Sequence, residues 1–322
     1  MARLRRVRPL QDPGIGRVRS GSGFRYVGPS GRDVSDADRE RIHELVIPPA
    51  WQDVWISEHA NGHIQVVGTD EAGRRQYLYH PDWSAKQDRG KFARMLDLAE
   101  ALPGARVRVT KSLRRSQLDR ERVLATAFRL LDEAAPRIGS ERYLTAHGSR
   151  GLTTLLRRDA RVDGDRVSLA FPGKSGKQQA LDVEDADLAV VIAELTAGRP
   201  KSPLLAWERG RRRVPLKPHE VNDYVRALTG GSFTAKDFRT LRGTVIAAGA
   251  LAQIGVLESE RDRRRAEQLA VKATAEILGN TPAVARSSYI DPRIWARYRD
   301  GDLLDPSLSP ESAIRKLLRA QQ

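Results

Sequence analysis

The apolar residues of this chain change their period near Gln87-Asp88-Arg89-Gly90, and that change limits the fold more than any other feature. Before it, apolar residues come in short alternating runs. Ile64-Gln65-Val66-Val67-Gly68 and Gln76-Tyr77-Leu78-Tyr79-His80 read as strands about an Asp70-Glu71-Ala72-Gly73-Arg74-Arg75 turn. Pro48-Pro49-Ala50-Trp51 reads as a loop entering another extended piece, Val54-Trp55-Ile56. After the change, residues 91–101 and 117–135 carry helical spacing; in the second, Leu118, Val123, Ala127, Leu130 and Ala134 recur three to five residues apart. Helical patterns return at about 184–197, 218–229, 235–253, 258–278 and 310–318. Residues 163–183 interrupt them as a hairpin, in which Val167, Leu169 and Phe171 alternate before Pro172-Gly173-Lys174-Ser175-Gly176 turns the chain. The pattern predicts an α+β fold. A small β-rich N-terminal domain over residues 1–88 precedes a larger, mainly α-helical domain over 89–322 that contains a small hairpin or sheet.

The chain has 322 residues, enough for two domains with cores of their own. Its 56 Lys and Arg against 41 Asp and Glu give a net charge of +15, which predicts a polyanionic partner, nucleic acid first, with a basic structural or ribosomal protein as the alternative. Arg3, Arg5, Arg6, Arg8, Arg17, Arg19 and Arg25 face the single acid Asp12 in the first 25 residues, among glycines, and read as a flexible basic arm that orders on DNA. The absence of cysteine excludes disulfides, thiolate zinc sites and cysteine nucleophiles. No apolar run approaches about 18 residues, so no membrane partner is expected. The basic N-terminus lacks the apolar stretch of a secretory signal, and the expected compartment is the cytoplasm, beside the nucleoid. Acids are mostly interleaved with arginines, as in Glu258-Ser259-Glu260-Arg261-Asp262-Arg263, and no zinc or magnesium motif appears. No metal site and no other cofactor are expected.

Four short motifs carry chemistry. Thr234-Ala235-Lys236-Asp237-Phe238-Arg239-Thr240 opens a helix, with Thr234 as N-cap and Asp237 in the place of a capping-box acid. Lys236 and Arg239 share one face near that positive helix end, which suits an anion; an ordinary capped surface turn is the plainer reading. Gly173-Lys174-Ser175-Gly176-Lys177 is no phosphate loop, because Ser168 stands where the first glycine is required. A lysine at a hairpin tip is either a solvated turn residue or a mobile proton donor reaching into a DNA groove. Pro136-Arg137-Ile138-Gly139 ends a helix with Gly139 in the C-cap region, and Arg137 either complements the helix dipole or grips a phosphate with its guanidinium fork. Gly279-Asn280-Thr281-Pro282 joins a long helix to a short one that ends at Arg286-Ser287-Ser288-Tyr289. Tyr289 is a core aromatic or, given its polar neighbours, a reactive phenol.

Read together, these motifs resemble the type IB DNA topoisomerases, specifically the compact poxvirus-type and bacterial branch, over nearly the whole chain. The residues that carry the resemblance are Gly-Arg-Arg-Gln-Tyr-Leu-Tyr at 73–79, Arg-Ile-Gly at 137–139, Gly-Lys at 173–174, Lys-Asp-Phe-Arg-Thr at 236–240 and Ser-Ser-Tyr at 287–289. The resemblance implies that Tyr289 is the nucleophile, that Arg137 and Arg239 are phosphate ligands and that Lys174 is the general acid. It also implies a monomer, with no obligate protein partner, that clamps duplex DNA between its β-rich and catalytic domains, with Gln76, Tyr77 and Tyr79 on a strand that contacts the major groove. Many relatives have histidine where this chain has Asn280, which can donate a neutral hydrogen bond to a phosphate oxygen but supplies no charge.

The activity so implied is ATP-independent relaxation of supercoiled DNA through a 3′-phosphotyrosyl intermediate. A tyrosine site-specific recombinase shares the Arg, Lys, Arg and Tyr set but usually has histidine three residues before the second arginine, where this chain has Lys236. A non-enzymatic basic DNA-binding protein is the other alternative.

Overall fold

Val54 and Ile56 face one side of a strand and Trp55 the other, and the N-terminal sheet is built on that alternation. A computed structural model describes residues 3–319. The chain forms two compact units, Met1–Lys91 and Phe92–Gln322. The first contains β1 (Gly14–Ser20), β2 (Gly23–Val27), α1 (Asp36–Glu44), β3 (Gln52–Ser57), β4 (Ile64–Thr69) and β5 (Arg75–Tyr79). The strands form one antiparallel sheet in the order β2-β1-β3-β4-β5. Ile15, Val34, Ile42, Val54, Ile56 and Val66 make the core on one face, while Val7, Trp55 and Val67 pack on the other.

The arginine-rich start is not a loose arm. Arg5 N–H donates to Asn61 O (2.9 Å), His63 N–H donates to Arg5 O (2.9 Å), and Gly14–Ser20 pairs with both β2 and β3. Arg17 donates to the carbonyls of Ile47 (3.3 Å), Pro48 (3.1 Å) and Trp51 (2.6 Å), so its charge holds a loop. Composition alone concealed this because two apolar anchors, Val7 and Ile15, are too few to set a period. Helix α1 escaped notice for the same reason: Ile42 is its one buried residue.

The second unit is mainly helical. It takes in α2 (Pro81–Leu113) from Phe92 onward, α3 (Arg120–Ala134) and α4 (Glu141–His147). There follow β6 (Ala160–Asp163), β7 (Arg166–Pro172) and β8 (Gln178–Glu184), α5 (Ala186–Thr196), and the two-stranded β9 (Ala206–Arg209) and β10 (Arg212–Pro215). The chain ends with α6 (Pro218–Thr229), α7 (Ala235–Ile254), α8 (Glu260–Ile277), α9 (Pro282–Ser288), α10 (Arg293–Arg299) and α11 (Pro310–Arg319). Phe128 of α3 stands edge-on to Tyr224 of α6 and Phe238 of α7, fixing these three helices around one apolar centre. The architecture is α+β, a β-rich region followed by a mostly helical one with small sheets. Among the described residues no helix is long and apolar enough to cross a membrane.

Two helix ends depart from expectation. Helix α2 runs through Pro103 because Leu98, Leu102, Ala105, Val109 and Leu113 continue one buried face, and that packing outweighs the proline signal. Helix α3 is closed by Ala135 in the left-handed conformation (φ 47°), not by Gly139. That geometry costs a non-glycine residue roughly 1–2 kcal/mol. It places the Ala135 carbonyl in the site described below. Short elements α4, α10 and the β9–β10 hairpin also lacked a readable period.

The β4–β5 turn carries a charge-dependent lock. Asp70 accepts from the Arg74 guanidinium (2.9 Å), from Arg74 N–H (2.9 Å) and from Gln76 Nε2 (2.8 Å), which hold its carboxyl at about 2 against an ordinary 3.8. The folded value lies below the unfolded one, so the contribution to stability is present above pH ~4 and is lost as pH falls through about 2. An NMR titration should place the Asp70 midpoint near 2 and raise it in Arg74→Ala; a wild-type midpoint near 4 would rule out this lock.

Candidate active site

Helix α7 begins with Asp237 buried beneath its own first turn. The carboxylate accepts from Thr234 N–H (2.9 Å), Thr234 Oγ1 (3.0 Å) and Arg94 Nε (2.9 Å), which fixes the helix end and, one turn on, Arg239. Arg239 is 5 % exposed. It donates Nη1 to Ala135 O (2.7 Å) and Nη2 to Leu278 O (2.8 Å), the C-cap carbonyls of α3 and α8. Helix C-terminal carbonyls carry partial negative charge, so two helix ends share one buried cation without a carboxylate.

Arg137 follows α3 by three residues. Its carbonyl accepts from Leu152 N–H (2.8 Å), and Gly151 makes that approach possible, since a methyl group there would lie 2.5 Å from Arg137 O. The guanidinium donates to Gly279 O (3.3 Å) and to Asn280 Oδ1. Burial first, then the charge of Arg239, disfavour its protonated form, while the Tyr289 phenol favours it. Among the described residues no carboxylate pairs with Arg137 or Arg239. Asn280 is held at the end of α8 by its N–H to Ala275 O (2.8 Å). With Oδ1 taken by Arg137, its Nδ2 is buried with no hydrogen-bond partner among the described residues, as is Arg239 Nε.

Tyr289 terminates α9, which Thr281 caps through Val284 N–H (3.4 Å) with Pro282 at the first position. The ring is half-buried against the core, with the Arg239 guanidinium 4.9 Å from its centre. Its backbone lies against Gly243 of α7, where a methyl group would sit 2.6 Å from Tyr289 O. Thr244 Oγ1 donates to the same carbonyl (3.3 Å) and accepts from Asp291 N–H (3.1 Å). Burial pushes the phenol up, but the charge and hydrogen bonding of Arg239, followed by Arg137 and Lys236, outweigh it and leave the phenol below its ordinary 10.

The structure therefore brings Arg137, Arg239, Asn280 and Tyr289 together, with the exposed Lys236 amine near enough to act on the phenol. Lys174 is exposed in a 3₁₀ turn at the tip of the β7–β8 hairpin and lines a cleft shared with Arg137, Arg150, Gln179 and Arg239. Arg150 and Gln179 had no motif to announce them. Arg150 is locked by Asp159 (Nε–Oδ2 2.7 Å, Nη2–Oδ1 2.9 Å) and donates its N–H to Pro172 O (2.8 Å). Gln76, Tyr77 and Tyr79 belong to the first unit. Tyr77 and Tyr79 are exposed and stacked (6.0 Å, 17°), while Gln76 lies on the opposite strand face, bonded to Asp70.

Two guanidinium groups with no carboxylate partner among the described residues, a buried amide donor and a phenol of lowered pKa can together hold an anionic phosphate beside an oxygen nucleophile. Residues 80–298 match the family described as eukaryotic DNA topoisomerase I, catalytic core, and residues 23–70 match bacterial DNA topoisomerase IB, N-terminal domain. The chain belongs to the type IB DNA topoisomerases. A DNA topoisomerase 1B of Acanthamoeba polyphaga mimivirus is 26% identical over 321 residues, 94% of this chain and 96% of its own. The DNA topoisomerase 1B of vaccinia virus strain Copenhagen is 23% identical over 276 residues, 83% of each chain. As a type IB topoisomerase, the protein acts on duplex DNA and relaxes it.

The topoisomerase has left one helix position without a side chain to seat Tyr289. Gly243→Ala improves helix propensity by about 1 kcal/mol but pushes on the Tyr289 backbone. The variant should stay folded, by circular dichroism, and lose about tenfold or more in single-turnover DNA cleavage. Wild-type cleavage by a folded Gly243→Ala protein would show that this contact does not position Tyr289.

Proposed function

We propose that this topoisomerase cuts one strand with Tyr289, holds the 3′ end as a phosphotyrosine while the other end rotates, and reseals it without ATP. The Tyr289 oxygen forms a bond to phosphorus as the bond from phosphorus to the 5′ oxygen breaks. The phenol proton leaves to solvent, and Lys174 gives a proton to the departing 5′ oxygen, yielding a 5′-hydroxyl. Arg137, Arg239 and Asn280 Nδ2 hold the non-bridging oxygens, where negative charge gathers in the transition state. The ester formed conserves the energy of the bond broken, so attack by the 5′-hydroxyl reverses it.

One observation carries this reading: among the described residues neither guanidinium has a carboxylate partner, Arg239 lies over the Tyr289 ring (4.9 Å), and the charges of Arg239 and Arg137 lower the pKa of the phenol. A resident carboxylate would compete with a phosphodiester; helix carbonyls do not. Tyr77 and Tyr79 offer a flat aromatic face to DNA from the N-terminal unit, and the enzyme works as a monomer on DNA in the cytoplasm.

Supercoiled plasmid should relax in EDTA without ATP, and denaturing the reaction midway should trap protein on a 3′ end. Tyr289→Phe should bind DNA with unchanged affinity, yet neither nick nor relax it. Relaxation by that variant would remove Tyr289 as nucleophile. Asn280→Ala should retain folding and slow single-turnover cleavage about a hundred- to thousand-fold, the cost of one lost oxyanion donor. A loss under threefold would mean that Nδ2 does not face the reacting phosphate.

A further inference from the structure

Lys174 lies on an exposed turn, so something else must fix how far its amine reaches. Gln179, on the return strand β8 opposite Phe171, fills the space behind that turn. Its Cγ stands where a side chain on Gly173 would begin, 2.5 Å from a methyl group built there. Its amide lies against Gly279 so closely that a methyl group on that residue would overlap it. Gly173 immediately precedes Lys174, and Gly279 supplies a carbonyl to Arg137 and immediately precedes Asn280. One half-buried side chain thus touches the backbone beside the hairpin lysine and the backbone beside the phosphate-binding amide. Its polar contact, Nε2 to Gln178 O (3.2 Å), stays within its own strand, so the wedge acts by volume.

We propose that Gln179 is a positioning residue that sets the distance from the Lys174 amine to the departing 5′ oxygen. This rests on the reading of Lys174 as the proton donor. Without the wedge, the turn relaxes toward Gly279 and the amine loses its aim, while Arg239 and Tyr289 keep their own supports, Arg137 keeps its tie to Leu152 N–H and Asn280 its N–H to Ala275 O. Gln179 therefore affects one step, protonation of the leaving group.

A duplex with sulfur in place of the bridging 5′ oxygen isolates that step. The same phosphorus–tyrosine bond forms, but the broken phosphorus–sulfur bond releases a thiolate, which leaves without a proton because thiols have a pKa of about 8.5. Single-turnover cleavage at saturating protein should fall about tenfold to a hundredfold in Gln179→Ala on the oxygen duplex and return to near the wild-type rate on the sulfur duplex. Lys174→Ala should show the same pattern with a larger loss. Gln179→Met, which keeps length and volume, should cleave both duplexes at near wild-type rates, and Gln179→Asn should lie between Met and Ala. Should the Ala protein misfold, the Asn and Met variants carry the comparison. A wild-type rate for Gln179→Ala or Gln179→Asn on oxygen, or an equal loss on both duplexes, overturns the proposal while Lys174→Ala is rescued by sulfur. If sulfur does not rescue Lys174→Ala, the proton-donor assignment falls and the inference falls with it.

Discussion

Arg239 is the point on which the catalytic unit converges. Its guanidinium joins the end of α3 through Ala135 O, the end of α8 through Leu278 O and the terminus of α9 through the Tyr289 ring. A buried cation needs negative charge around it, and here two helix C-termini provide it as carbonyl dipoles. The arrangement explains the left-handed Ala135. A glycine closure further along, at Gly139, would leave no carbonyl where Arg239 donates. The strain at one alanine is the local consequence of aiming a helix end at a guanidinium group.

Arg137 and Arg239 are held by carbonyls and an amide, as Arg17 and Arg157 are held by carbonyls elsewhere, but here two such guanidinium groups stand beside a phenol. Other arginines of the catalytic unit are paired with acids: Arg150 with Asp159 (2.7 Å), the buried Arg122 with Glu194 (2.8 Å) and the partly buried Arg106 with Asp132 (2.7 Å). Those pairs are complete and attract no further anion strongly. Arg137 and Arg239 are hydrogen-bonded enough to be held in place but keep net positive charge. The charge of Arg239 also disfavours that of Arg137, as burial already does. A phosphodiester relieves both strains at once, and the phenolate of Tyr289 relieves part of them. Affinity for the reacting groups thus follows from leaving the charges unneutralised.

Most of this was visible in the sequence because the chemistry-bearing residues sit at helix ends, where local signals are strong. Thr234 with Asp237, and Gly279 through Pro282, announced two of the boundaries that position Arg239, Asn280 and Tyr289. Hidden were contacts between segments distant in sequence. Gly151 against Arg137, Gly243 against Tyr289 and Gln179 against Gly279 each join residues from elements whose packing no local period encodes. Arg17 shows the opposite error. A basic, glycine-rich stretch looked free for DNA, yet that arginine is spent on three loop carbonyls, which only the folded sheet could reveal.

Asn280 has a further consequence for how the site responds to pH. Its Oδ1 accepts from Arg137, and its buried Nδ2 has no hydrogen-bond partner among the described residues. A neutral amide donates one hydrogen bond at any pH, whereas an imidazole at this position would gain a charge near neutrality. In the proposed mechanism the hold of Asn280 on a phosphate oxygen is therefore constant near neutral pH. The phenol pulled down by Arg239, Arg137 and Lys236 is then a group whose ionisation changes the reaction from this side of the phosphate. In the proposed mechanism fixed donors and a tuned nucleophile divide the work: the first set the depth of charge stabilisation, and the second sets how readily the strand is attacked.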